Sequence, residues 1–196
     1  MTIKIIDYAV ITEPREKTNK QLRQELKSEF GISGRRLDNF TLTAMKALAN
    51  VQTSLKPECK YSLFSAAQYF SLELLQSLLL DLAKDIALKP LDFVATVGNA
   101  ANYYLAKEFK LHGSNLFLGC SEQKLAKTLL TAELDLLEKN SDAAVLLLWH
   151  ETETTRRCDC LIIELTDEAH ASALITDINE LTELIAKGVK PPFNYR

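Results

Sequence analysis

The chain has 196 residues, 47% of them hydrophobic, and a formal charge of −3, enough apolar material for one core and no reason from size to expect a second domain. Its Lys and Arg residues are scattered, so it lacks the basic patch that draws phosphate backbones or anionic membrane surfaces, and nucleic acid is not an expected partner. The opening MTIKIIDYAV is broken by Lys4 and Asp7, and the run from Ala143 to Trp149 is far too short to cross a bilayer, so neither a signal peptide nor a membrane span is expected and the chain reads as cytoplasmic.

Residues 3–11 (IKIIDYAVI) are β-branched and apolar up to Thr12-Glu13-Pro14, where proline ends a ladder, which predicts a strand. Lys17 to Phe30 is polar and helix-prone with Gly31 as its C-cap, a surface helix. Over 36–54, Leu37, Phe40, Leu42, Met45, Leu48 and Val51 recur at three- and four-residue spacings and predict a helix with one broad apolar face. Tyr61 to Ala66 reads as a short strand and Tyr69 to Lys84 as a strongly apolar helix. Pro90 opens a stretch that is rich in small residues and ends helical, and Gly113-Ser114 is a turn.

Beyond that turn come a strand at 115–119 (NLFLG), a helix at 123–139, and strands at 143–149 (AAVLLLW) and 160–165 (CLIIEL). Asp167 to Lys187 is predicted as a last helix stopped by Gly188. The segment 151–158 and the Pro-rich tail read as loops. Near-continuous apolar strands alternating with helices indicate an α/β layered fold, a sheet covered on both faces, in a single domain over residues 1–196. Of the cysteines, Cys59, Cys120, Cys158 and Cys160, only the last two are close, and a lone C-x-C is poor zinc spacing. Free thiols, no metal and no cofactor are the expectation.

Three segments together resemble the amino-terminal half of β-ketoacyl synthases, in particular short ketosynthase-like proteins of aryl polyene gene clusters. They are RRLDNFTLTAMKALA (35–49), LDFVATVGNAANYYLAKEFKLHGSNLFLG (91–119), and the helix and strand from Gln123 to Trp149, where AAVLLLWHE stands in the place of the strand after the nucleophile helix. The resemblance implies a thiolase-like half-fold with a mixed sheet. In that family the strand after the glycine turn leads to a cysteine at the start of a helix, whose free N–H groups and partial positive charge lower a thiol's pKa. Counted from Gly113, the nucleophile position falls on Glu122, which cannot form a transferable thioester. Cys120 lies two residues earlier, short of the helix start, and reads as a small buried thiol.

Full ketosynthases are about twice this length and carry two histidines in a second half that the resemblance leaves without a counterpart; His112, His150 and His170 have no spacing that replaces them. The resemblance therefore implies a non-catalytic, chain-length-factor-type subunit paired with an active ketosynthase, with the acyl carrier protein reached through that partner. The strand Asn115, Leu116, Phe117, Leu118 and Gly119 is the implied interface; Tyr69, Phe70 and Asn99 are the implied tunnel-lining residues. The competing readings are an acyltransferase or thioesterase-like enzyme using Cys120 with His150 or His112 as base, and a homodimeric scaffold built by pairing strand 115–119 with itself.

Overall fold

The computed structural model describes residues 1–167 and 174–196. Among these residues seven strands, β1 (Thr2–Pro14), β2 (Tyr61–Ala67), β3 (Asn115–Gly119), β4 (Ala143–Glu151), β5 (Thr155–Thr166), β6 (Leu174–Ile175) and β7 (Phe193–Tyr195), form one sheet in the order β3-β2-β4-β5-β1-β7-β6. β3 and β4 flank β2 in parallel, and β5 is antiparallel to both β4 and β1, so the sheet is mixed. The helices are α1 (Asn19–Phe30), α2 (Asn39–Asn50), α3 (Leu72–Ala83), α4 (Pro90–Ala95), α5 (Ala100–Phe109), α6 (Lys124–Leu137) and α7 (Ile178–Ala186).

Alternation along β4 explains the three layers. Val145, Leu147 and Trp149 face one way and join a core with α1, α2 and α5, while Ala144, Leu146 and Leu148 face the other and meet α6 and α7. An apolar residue at every position is what a strand needs when both of its faces are covered. This is the α/β layered architecture expected from the sequence.

Local chemistry sets the helix ends. Thr18 and Gln21 form a capping box on α1, and Gly31 closes it in the left-handed conformation, φ 72°, its N–H donating to the Lys27 carbonyl at 3.1 Å. The Asp38 carboxylate accepts from the Thr41 N–H and caps α2.

Several boundaries differ from the sequence reading for physical reasons. The helix expected over 36–54 is α2 followed by a single 3-10 turn, Gln52–Ser54. Most of the loop expected at 151–158 is strand, since β5 starts at Thr155 and pairs with β4 and β1 across its polar beginning. There Arg156, 5% exposed, is neutralised by Glu73 at 2.6 Å and donates to the Arg15 and Lys17 carbonyls, so tertiary partners bury a charge that reads as loop. The expected 167–187 helix holds β6 and the shorter α7, and the tail forms β7 against β1. Residues 168–173, His170 among them, lie outside the described residues.

Two polar knots hold the frame. The Asp135 carboxylate on α6 accepts hydroxyl hydrogen bonds from Ser62 at 2.7 Å, Ser114 at 2.5 Å and Ser141 at 2.5 Å, joining β2 to the turns that launch β3 and β4. Burial alone raises this carboxyl's pKa, and the three hydroxyls override it and hold it below its ordinary value. Gly113 fits this corner because a Cβ there would meet Ser62 Oγ at 2.4 Å and the Ser62 backbone nitrogen at 2.7 Å. Around the other knot, Glu13 and Glu25 alternate with Lys17 and Lys46 at 2.6 to 2.9 Å and tie β1 to α1 and α2.

Candidate functional site

The parallel strands β2, β3 and β4 end on the same rim, and the chain turns there into α3 and α6. Crevices at the carboxyl ends of parallel strands are where α/β folds place their sites. A cleft of about 510 Å³ opens at this rim. Its apolar lining includes Phe40, Tyr69, Leu72 and Trp149, and its edge carries Arg15, Lys124, His150, Arg156 and Arg157. Phe40 and Trp149 stack with ring centroids 4.2 Å apart, and the Trp149 indole N–H donates to the Phe40 carbonyl at 3.2 Å.

A neighbouring cleft of about 620 Å³ runs between α6 and α7, sharing Lys124, His150 and Arg157 with the first. The start of α6 thus stands between the two. On its sheet side, Asp159 is buried and receives a two-pronged hydrogen bond from Arg157 at 2.6 and 2.9 Å, with His150 Nε2 at 3.5 Å. Burial pushes the Asp159 carboxyl up, but His150 and Arg157 outweigh it and keep the group below its usual range. Glu73, bonded to the Arg15 and Arg156 that border the first cleft, is held low in the same way, its burial overridden by Arg156, Asn39 and Arg15.

The turn into α6 carries the residues the sequence singled out. β3 ends at Gly119; Cys120 is half-buried, and Ser121 and Glu122 are exposed in the turn. The N-cap position is Gln123, whose backbone is left-handed at φ 53°, ψ 34° with no side-chain cap. N-caps are ordinarily extended, so a left-handed glutamine here marks a sharp elbow. The turn from β2 into α3 repeats the device with Ser71 at φ 44°, its hydroxyl donating to Asp38. No thiol stands at either elbow. Nothing in the sequence signals which residue of 120–123 takes the left-handed backbone.

The geometry separates the thiol from the candidate bases. Cys120 donates its backbone N–H to Ala67, and His150 continues β4 from Leu148, which pairs with Ala66. The two residues therefore stand two strands apart, roughly 10 Å at the backbone. His112 precedes the opposite end of β3, roughly 15–20 Å from Cys120. Among the described residues no hydrogen bond joins Cys120 or Ser121 to a histidine, and no group of side chains could hold a metal ion.

The remaining residues singled out by the sequence divide between cleft and edge. Tyr69 lines the first cleft and is 55% exposed. Phe70 packs edge-on against Phe117 with centroids 5.9 Å apart, placing it under β3 rather than in the cleft. Asn99 is exposed at the start of α5 and caps nothing. Sequence reasoning missed Asn102, which is fully buried, accepts from the Ser65 hydroxyl at 2.7 Å and donates to the Leu116 carbonyl at 3.2 Å, stitching α5 to β2 and β3.

Asn115 to Gly119, as β3, form the last strand of the sheet and among the described residues pair with β2 on one side only. On this strand Leu116 is 44% exposed, and Tyr103 on α5, the helix that packs against β3, is 58% exposed. Farther along the chain, Phe93 and Val94 on α4, Val97 just after it, and Leu79, Leu80 and Leu82 on α3, which packs against α4, are also open. No helix among the described residues is long and apolar enough to cross a membrane.

No family model and no curated protein matches the chain by sequence. Solved structures match it closely in fold. A structure of a ketosynthase in complex with its chain length factor from Xenorhabdus doucetiae superposes with a TM-score of 0.63 at 13% identity, over 85% of this chain and 80% of that one. The ishigamide ketosynthase/chain length factor gives 0.67 at 12% identity, over 88% of this chain and 64% of that one. A type II PKS acyl-carrier protein complex with its ketosynthase gives 0.54 at 10% identity, over 83% of this chain and 62% of that one. The chain thus spans somewhat under two thirds of the latter two, and its fold is the thiolase-like fold of ketosynthases and chain length factors.

Proposed function

We propose that this protein is a non-catalytic, chain-length-factor-type subunit that pairs with an active β-ketoacyl-ACP synthase in the cytoplasm and helps elongate an acyl chain of the aryl polyene or polyketide type. The observation that carries the reading is an edge strand that pairs on one side only among the described residues and carries the exposed Leu116, in a fold whose elbow holds Gln123 and Glu122 and no thiol. An unpaired edge with exposed apolar side chains favours a partner.

In this arrangement β3 of the chain meets the equivalent strand of the ketosynthase, with Leu116 and Tyr103 of the adjoining α5 adding apolar area. Tyr69, Phe70 and Asn99 contribute to the wall of the acyl tunnel, and the carrier protein is bound through the catalytic partner. The fold likeness to a ketosynthase in complex with its chain length factor supports the pairing.

Co-expression with a ketosynthase encoded beside it tests the reading. A stable one-to-one unit that Leu116→Arg disrupts is expected, with no acyl adduct on this chain after incubation with an acyl thioester. A chain that remains unassociated with every such ketosynthase, or that gains an acyl group on Cys120, overturns it.

A further inference from the structure

A second apolar surface lies away from β3, on α6. The inner side of this helix fills the core with Leu125, Leu129, Ala132 and Leu136, yet its outer row leaves Leu130 59%, Leu134 55% and Leu137 47% exposed. Three leucines at spacings of four and three make a stripe on one side of a helix, a surface that water covers poorly. Lys127 and Glu138 are exposed at the two ends of the stripe, and among the described residues Lys127 makes no ion pair.

This pattern is complementary to itself. Lay a second α6 antiparallel across the first, with the two-fold axis near residues 132 and 133. Lys127 of each copy then falls opposite Glu138 of the other, and Leu130 opposite Leu134, so one contact is made twice, as two-fold interfaces require. A parallel arrangement would set Lys127 against Lys127. We infer that the outer side of α6 is an interface between two copies of this chain, closed by interleaved Leu130 and Leu134 and fixed in direction by two Lys127–Glu138 pairs.

The helix is about 21 Å long at 1.5 Å per residue, and one helix pair buries less than the roughly 1,200 Å² of a stable standard interface. The contact is therefore weak and concentration-dependent in the isolated chain. Because it uses a surface other than β3, it joins two units without competing with a partner bound at the sheet edge.

Sedimentation equilibrium of the purified chain over a wide concentration range tests this. A monomer–dimer equilibrium is expected, weakened about tenfold or more by Leu134→Glu or Lys127→Glu. The double charge reversal Lys127→Glu with Glu138→Lys restores dimerisation, whereas Leu116→Arg leaves it unchanged. Circular dichroism confirms that each variant is folded. A chain that stays monomeric at about 1 mM, a dimer lost with Leu116→Arg, or a double reversal that does not recover overturns the inference. So does a face whose Leu134→Glu variant loses only the ketosynthase.

Discussion

Removing the Asp135 carboxylate tests how β3 is held at the sheet edge. Its three hydroxyl donors, Ser62, Ser114 and Ser141, lie at 2.7, 2.5 and 2.5 Å. A hydrogen bond to a charged acceptor contributes about 1.5–3 kcal/mol, contributions that share one acceptor are not additive, and removing the carboxylate also relieves its burial. For Asp135→Ala the net loss is therefore about 2–4 kcal/mol, and for Asp135→Asn, which keeps the shape and one acceptor oxygen, about 1–2 kcal/mol. In a chain of this size each kcal/mol moves the midpoint about 2–4 °C, so Asp135→Ala should melt roughly 5–15 °C lower by circular dichroism.

The pH dependence carries the sign. Because the folded carboxyl is held below its ordinary value, its contribution is present above the unfolded pKa of about 3.9 and is lost as pH falls through the folded one. Wild type should thus lose stability below about pH 4 more steeply than Asp135→Asn. Since Ser114 introduces β3, Asp135→Ala should also weaken the proposed pairing with a ketosynthase. A cost under about 0.5 kcal/mol, within the range of an ordinary surface substitution, or parallel acid profiles for the two proteins, would refute the reasoning.

Other expectations follow from single sites. Gly113→Ala drives a Cβ to 2.4 Å from Ser62 Oγ and should destabilise by about 1–3 kcal/mol in urea unfolding. Phe40→Ala removes the ring stacked on Trp149; it should cost about 3–5 kcal/mol and shift the tryptophan emission to the red. Burial pushes the Cys158 and Cys160 thiols well above their ordinary value, so at pH 8 a disulfide reagent should titrate Cys59 and Cys120 in the native protein and reach the other two only after denaturation.

The parts of this fold that read directly from sequence are those where packing follows from the local pattern. β4 reads as a strand because every residue from Ala143 to Leu148 is apolar and buried, and Gly31 announces the end of α1 because the left-handed cap favours glycine. What stayed hidden depends on partners distant in sequence. Arg156 is compatible with a strand only because Glu73, 83 residues away, comes to meet it. β7 exists because β1 has a free edge for it, and Asn102 looks like any helical asparagine until Ser65 and Leu116 close around it. At the candidate site, periodicity located the strand and the helix, but the turn between them is set by how α6 seats on the sheet, which leaves Gln123 no local signature.

That elbow yields a prediction of its own. Left-handed backbone at Lys110 and Lys139 follows the ends of α5 and α6, where such residues finish a helix. At Gln123 and Ser71 it precedes a helix, where capping does not call for it, so the two strand-to-helix turns on the cleft rim hold strain. A non-glycine residue in this region costs about 1–2 kcal/mol, and glycine gives back about 0.5–1 kcal/mol through the freedom of the unfolded chain. Gln123→Gly should therefore be neutral or stabilise by up to about 1 kcal/mol, whereas Gln123→Val, stiff at its β-carbon, should destabilise by about 1–2 kcal/mol. Glu122→Gly serves as the control for added chain freedom alone. A Gln123→Gly protein that loses more stability than the Glu122→Gly control would show that the turn is not strained at this residue, and that the sharp entry into α6 comes from packing around it rather than from Gln123 itself.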